Sequence, residues 1–468
     1  MTIEQIYTGC LAQGAYYIES NGEAAIIDPL REPEPYIRKA AKDNARIKYI
    51  FETHFHADFV SGHVDLASKT GATIVFGPNA VTGYDTHIAN DEEIFKVGDV
   101  TIKVLHTPGH TMESTTYLLI DENGKDHCIF SGDTLFIGDV GRPDLAVKSD
   151  MTKEDLARHL YSSLRKKIMP LANDVIVYPA HGAGSACGKN MSSETFDTLG
   201  NQKATNYALR EDMTENEFII EVTDGILPPP QYFPKNVLLN KNGYASLDEV
   251  KAEGLKPLSP KEFEFLVNDQ GALMIDTRDK LDFQKKHIPN SIFIGLDGSF
   301  ASWAGTLVPD INQPIVFIAD EGNEDEVVTR LSRVGYDNTL GYLKGGIDTW
   351  EKSGYEVESV KSISASELEL ILDEKEITII DVRKPTEFAA EHVEGAKNVA
   401  LDYLSENLSE IDKNTTNYLH CLSGYRSLIA SSILQSRGFN VINVEGGYNA
   451  ILDSGIKTTD YVCPSTFK

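Results

Sequence analysis

An α/β chain of several domains is what this sequence predicts, on three observations. Its 468 residues suit about three domains at roughly 150 residues each. In the first half, short runs rich in Val, Ile, Phe and Tyr stop at clusters of polar residues, as buried strands do where they meet loops. In the second half one residue pattern occurs twice, which marks tandem units rather than one large fold.

Composition narrows the function classes. Hydrophobic residues make up 41% of the chain, enough for packed cores, which excludes a disordered or fibrous protein. Forty-three Lys and Arg against 71 Asp and Glu leave a formal charge of −28, which opposes binding to nucleic acid or to an anionic membrane. No apolar run approaches the ~18 residues of a membrane span. Met1-Thr2-Ile3-Glu4 does not open a basic, hydrophobic leader. Five irregularly spaced cysteines argue against a disulfide framework and for the reducing cytoplasm.

The first domain, residues 1–245, carries nine of the twelve histidines. Ile47–Phe51 reads as a strand leading into Thr53-His54-Phe55-His56-Ala57-Asp58-Phe59. Ile102–Leu105 leads into His106-Thr107-Pro108-Gly109-His110, Cys128–Phe130 into Ser131-Gly132-Asp133, and Val175–Tyr178 into Pro179-Ala180-His181. Loops at neighbouring strand tips can converge, and imidazole with carboxylate binds divalent metals, so the pattern predicts a metal centre. From Gln231 to about Pro260, mixed Pro, Gly and Asn read as a linker.

The repeat follows. Its first copy holds Asp276-Thr277-Arg278, His287 and Gly345-Gly346; its second holds Asp381-Val382-Arg383, His392 and Gly446-Gly447. The aspartates lie 105 positions apart and the glycine pairs 101. Two α/β units are therefore expected, residues 258–357 and 360–468, with helices such as Ala365–Asp373. In the second copy, Tyr418-Leu419-His420 runs into the loop Cys421–Arg426 at the start of a helix. Such a loop can aim backbone N–H groups at the cysteine sulfur, and the helix end and Arg426 add positive potential. Both favour the nucleophilic thiolate. Aligning Val316–Asp320 with Asn417–Cys421 puts Asp320 in the cysteine's place and Asp325 in the arginine's, so the first copy has no nucleophile.

The four N-terminal segments resemble the metallo-β-lactamase fold, an αββα sandwich whose signature is His-x-His-x-Asp-His followed by a distant His, Asp and His. One departure is that Phe59 stands where a dinuclear hydrolase of this fold places a metal-binding histidine. Within the superfamily the sequence most resembles the persulfide dioxygenases. That resemblance implies one Fe(II) per chain, held by His54, His110 and Asp133 with three positions open for substrate and O₂. It assigns His56, Asp58 and His181 to an outer shell that orients ligands or water, with His181 among the catalytic groups. Gly138–Leu145 resembles the Gly-Arg-x-Asp segment of these enzymes; there Arg142 would hold a developing sulfinate or a substrate carboxylate, or else pair with Asp139 or Asp144. Cys187 would either relay sulfur or line the pocket.

The second half resembles the rhodanese sulfurtransferases, with Cys421 and Arg426 at the active site and the first copy an inactive rhodanese-like domain. The whole is similar to persulfide dioxygenase–rhodanese fusions. This implies that a small persulfide of the glutathione, coenzyme A or bacillithiol type is oxidised with O₂ to sulfite and thiol. Sulfane sulfur would pass through Cys421 to or from sulfite, as thiosulfate chemistry, in sulfide detoxification. A metal-dependent thioester hydrolase of the glyoxalase II type fused to a sulfurtransferase is the alternative. No nucleic acid or membrane partner is expected, and a homo-oligomer is left open.

Overall fold

The computed structural model describes residues 1–147, 151–189, 191–374 and 376–463; residues 464–468, included in the last expected domain, lie outside the described residues. Two compact units emerge: Met1–Glu249 with Leu331–Gly335, and Val250–Arg330 with Tyr336–Lys468.

The first unit is built on two six-stranded sheets. One runs in the order Thr2–Thr8, Gln13–Ser20, Glu23–Ile27, Arg46–Glu52, Thr73–Phe76, His87–Ile88. The other runs Asp197–Thr198, Ile176–Pro179, Asp126–Gly132, Thr115–Ile120, Val100–His106, Ile94–Val97. Alternation along the strands fixes their packing, because successive side chains point to opposite faces. Tyr16, Ile18, Ile27, Phe51 and Val75 meet Val97, Ile102, Val104, Leu119 and Phe130 between the sheets. Their neighbours Ala15, Tyr17, Ile26, Ile50 and Ile74 belong instead to a core with Tyr36 and Ala40 of the helix Glu34–Lys42 and Leu66 of the helix His63–Thr70. On the far side, Leu118, Ile129 and Val177 pack with Ala157 and Leu160 of the helix Lys153–Ser163. Helix, sheet, sheet, helix is thus the layer order, the expected αββα sandwich.

The second unit contains two five-stranded parallel sheets of identical order. The first is Pro257–Leu258, Thr339–Leu343, Ile315–Ile318, Leu273–Asp276, Ile292–Phe293; the second is Ser362–Ile363, Asn440–Val444, Thr416–His420, Thr378–Asp381, Lys397–Asn398. Ser364 caps the helix Ala365–Glu374, exchanging hydrogen bonds with Glu367. The repeats share one core, in which Phe283 and Phe293 of the first pack with Leu428, Ile429 and Ile433 of the second.

The structure corrects the linker. The helices Phe233–Asn242 and Leu247–Gly254 occupy most of that stretch. Asn236 and Asn240 of the first helix are buried, Asn240 in side-chain hydrogen bonds, and Gly243 ends that helix at φ 91°. No helix among the described residues is long and apolar enough to cross a membrane, and none of the five cysteines is in a disulfide.

Candidate functional site

The strand Arg46–Glu52 delivers Thr53 and His54, Asp126–Gly132 delivers Asp133, and the loop after Val100–His106 delivers His110. His54, His110 and Asp133 are all buried and offer ligand atoms within 4.8 Å of one another. Nε2 of His110 lies 3.4 Å and Nε2 of His54 3.9 Å from Asp133 Oδ2. The other nitrogen of each ring is committed elsewhere. His110 Nδ1 lies 2.8 Å from the Arg142 carbonyl and so carries the proton. His54 Nδ1 lies 3.0 Å from Thr53 Oγ1, which itself donates to Asp28 Oδ2 at 2.8 Å. Both rings thereby present an Nε2 lone pair toward the carboxylate. Burial, then the neighbouring His56, His110 and His181, hold the His54 imidazole well below its ordinary range, which keeps it neutral.

Two glycines let these strands close in. Gly132 takes φ 54°, and a Cβ there would lie 2.6 Å from Thr53. A Cβ on Gly141 would fall 2.0 Å from the Asp133 carbonyl and 3.1 Å from His110 Nδ1.

A second group stands beside the first. His181 Nε2 is 3.4 Å from Asp58 Oδ2 and 3.6 Å from Asp133 Oδ1. His56 lies between two groups: it offers a ligand atom within 4.8 Å of Asp58 and His181, while its Nε2 is 3.1 Å from Asp28 Oδ1 and 3.5 Å from Glu52 Oε2, and its ring packs on Phe59 with centroids 4.3 Å apart. Burial opposes a charge on His56, but Asp28, then Glu52 and Asp58, hold it up at about 9. Phe59 is fully buried.

Arg142 is also buried, but its guanidinium is taken. Nε and Nη2 clasp Asp144 at 2.6 and 2.8 Å, and further donations reach the carbonyls of Ala186 and Leu227. The ion pair with Asp144, one of the two expected roles, is what the fold forms. Through its backbone Arg142 also accepts from His110 and donates to the Cys187 carbonyl at 3.0 Å. Cys187 is buried with Asp133 and His181 in reach of its sulfur. Burial, then Asp58 and Asp133, push its thiol well up.

Sequence reasoning missed Asn240. Its amide donates to the carbonyls of His56 and Phe59, both at 2.8 Å, and its oxygen accepts from Ser61 N–H at 2.9 Å. The Tyr244 hydroxyl donates to the Ser61 carbonyl. The helix Phe233–Asn242 therefore fixes the His56–Ser61 turn.

In the second unit, Cys421 follows the strand Thr416–His420 and precedes the helix Tyr425–Ser436. Gly424 N–H points at its sulfur, 3.1 Å away, from a left-handed backbone with φ 96°. The Cys421 carbonyl accepts from Tyr448 N–H at 2.6 Å, and a Cβ on Gly447 would meet that carbonyl at 2.4 Å. Arg426 binds Glu387 through both nitrogens, at 2.6 and 2.9 Å.

The comparisons with known proteins agree with this architecture. The metallo-β-lactamase superfamily model matches residues 8–181, and the rhodanese-like domain model matches residues 259–353 and 364–454. A probable hydroxyacylglutathione hydrolase of Schizosaccharomyces pombe is 33% identical over 200 residues, 42% of this chain and 73% of that protein. The human mitochondrial persulfide dioxygenase is 30% identical over 212 residues, 45% of this chain and 74% of that protein. The chain belongs to the metallo-β-lactamase superfamily. A crystal structure of a metallo-β-lactamase from Staphylococcus aureus subsp. aureus COL aligns at 32% identity with a TM-score of 0.64, covering 74% of this chain and 98% of that one. Two rhodanese-like domains complete the metallo-β-lactamase-fold chain, the fusion expected from sequence.

Within this superfamily chain the strand register corrects one detail. Asp276 pairs with Ile318 as Asp381 pairs with His420, so Ala319, not Asp320, stands where Cys421 does. The loop that follows is one residue longer before its helix begins at Glu324, which is why an alignment anchored on the helix is shifted. The absence of a nucleophile is unchanged, since the chain has no cysteine between Cys187 and Cys421. A cavity of about 740 Å³ opens there, lined by Arg278, Asp320, Glu321 and Lys344 among others.

The donor set suits a resident metal. Both oxygens of Asp133, Nε2 of His181 and Oδ1 of Asp58 are buried without a hydrogen-bond partner among the described residues. Such groups ordinarily find partners, and a divalent cation would satisfy them.

Proposed function

We propose that the N-terminal domain oxidises a low-molecular-weight persulfide and that the last domain transfers sulfane sulfur. The observation that carries this reading is the asymmetry of the metal ligands. His54, His110 and Asp133 form a buried set of two imidazoles and a carboxylate, while in the neighbouring group of His56, Asp58 and His181 the His56 ring also faces Asp28 and packs on Phe59. Two His and one carboxylate on one face is the ligand pattern of non-haem Fe(II) oxygenases. Ferrous iron held there, one per chain, would supply the site at which a persulfide sulfur and O₂ meet and exchange electrons.

The overall change is R–S–SH + O₂ + H₂O → R–SH + SO₃²⁻ + 2 H⁺, in which the terminal sulfur is oxidised and O₂ reduced. Thr53 and the Arg142 carbonyl hold the two imidazoles in the tautomer that leaves Nε2 free. Asp58 and His181, side by side at the edge of this set, are placed to orient water and to take up the protons released. Cys187 is assigned to the pocket wall, its thiol kept neutral by burial.

In the last domain Cys421 takes the outer sulfur of a second persulfide and passes it to sulfite: R–S–SH + SO₃²⁻ → R–SH + S₂O₃²⁻. Gly424 N–H supports negative charge on the sulfur, and Arg426 at the helix start is held by Glu387. The carrier thiol is of the glutathione, coenzyme A or bacillithiol type. Sulfide detoxification is the physiological outcome of the two steps together.

A second reading has a specific support: a probable hydroxyacylglutathione hydrolase matches this chain at 33% identity, against 30% for the persulfide dioxygenase. In that case the site would hold zinc and hydrolyse a thioester. Cys421→Ser separates the parts of the proposal. Thiosulfate formation should vanish while sulfite accumulates from persulfide at the parent rate; loss of both activities together would contradict the division of labour.

A further inference from the structure

The Cys421 loop is poor in free positive charge. Between Cys421 and Arg426 lie Leu422, Ser423, Gly424 and Tyr425, none of them cationic, and the Arg426 guanidinium is bound through two nitrogens to Glu387. That pair is formally neutral. Sulfite and thiosulfate are dianions, and they approach a chain of net charge −28, so the mouth of the loop needs a local cation to admit them.

The silent repeat provides one. Lys280 opens the helix Lys280–Lys285, and its Nζ lies 3.5 Å from the Ser423 carbonyl, two residues from the nucleophile. The lysine's base is anchored rather than adrift. Phe283, three residues on, belongs to the core shared with Leu428 and Ile429. The Tyr425 hydroxyl donates to the Gly295 carbonyl at 2.8 Å, and Phe293 N–H donates to Ser432 Oγ at 2.9 Å. Of the charged groups nearby, Asp279 caps the helix through Leu281 N–H, Asp282 faces Lys285, Glu445 accepts from Gln284, Asp297 and Arg330 act on Tyr425, and Asp402 acts on Arg426. Nor is this lysine part of the common frame of the repeats. With Asp276 equivalent to Asp381, Pro385 stands at its position in the active copy.

We infer that Lys280 of the silent repeat determines specificity at Cys421, drawing anionic sulfur donors and acceptors to a loop whose own arginine is neutralised. The inference rests on the reading of Cys421 as the sulfur-carrying nucleophile, and it gives the silent repeat a task besides support.

The test compares alkylation of Cys421 by iodoacetate, an anion, and iodoacetamide, a neutral reagent of similar size. It uses the full chain at low ionic strength and follows the Cys421 peptide by mass spectrometry. Lys280→Gln should lower the iodoacetate-to-iodoacetamide rate ratio by roughly three- to tenfold. Lys280→Glu should lower it further, and Lys280→Arg should retain it. Lys285→Gln, on the same helix with a side chain 72% exposed, should leave it unchanged. In steady-state sulfur transfer, Lys280→Gln should raise KM for thiosulfate by the same factor with kcat kept. An equal ratio in the parent, Lys280→Gln and Lys280→Glu proteins, with transfer intact, would overturn the inference alone. A lowered ratio in a protein whose parent transfers no sulfur would uphold the action of Lys280 on Cys421 and remove the transfer reading. A Cys421 inert to both reagents would overturn the two together.

Discussion

Asp133 has histidines on both sides, and the two sides are built differently. Toward His54 and His110, each imidazole is locked through its Nδ1 and turns Nε2 to the carboxylate. Toward His181 and Asp58, the partner that would complete a second metal site, His56, is drawn to Asp28 and packed on Phe59. The same motif, His54-x-His56-x-Asp58, thus feeds two ligand groups, and in the second one imidazole, His56, also faces another buried carboxylate, Asp28. On the proposed reading, nuclearity would be set by Phe59 and Asp28, which flank His56.

The sharpest way to break the comparison is to remove what both sides share. Asp133→Ala should release the metal and lower persulfide-dependent O₂ uptake by more than about 100-fold, beyond the effect of an outer-shell partner. Metal analysis alongside an oxygen electrode checks it, and retained uptake would take Asp133 out of the ligand set.

Gly141→Ala acts on the finished side alone. Its Cβ would press on the Asp133 carbonyl and His110 Nδ1, so metal affinity should fall by about 10- to 100-fold. Competition with a chelator measures it. Phe59→His addresses the other side. It adds a donor beside His56, Asp58 and His181, and total metal content should rise from one toward two per chain. An unchanged stoichiometry would mean that the Asp28–His56 contact alone suffices to keep the second site closed.

The smallest effect is expected at the support of the His56–Ser61 turn. Asn240→Ala would leave the His56 and Phe59 carbonyls and Ser61 N–H without their partner. Stability should drop by about 1–3 kcal/mol, read by denaturant unfolding of the metal-free protein.

What the sequence discloses of this site follows from distance along the chain. His54, His110, Asp133 and His181 were legible because each sits at the end of a short apolar strand, and strand tips of neighbouring β-strands gather. The tandem repeat was legible because two copies keep the same Asp-x-Arg and Gly-Gly positions. Asn240 was not: it reads as linker, and its role depends on partners about 180 residues earlier. Arg142 showed as an arginine beside the site, but only the fold reveals Asp144 filling its fork. Ala319 was misplaced by one position because loop length between strand and helix differs between the copies, and only hydrogen-bond register fixes it.

The central claim is a single iron centre that consumes O₂ with a persulfide. Its most direct test is O₂ uptake by protein loaded anaerobically with Fe(II), offered glutathione, coenzyme A and bacillithiol persulfides in turn, with metal content and sulfite measured in the same samples. The account predicts one iron per chain and one sulfite formed per O₂ consumed with at least one of these persulfides. Two zinc ions per chain, with no O₂ consumed from any of them, would contradict it.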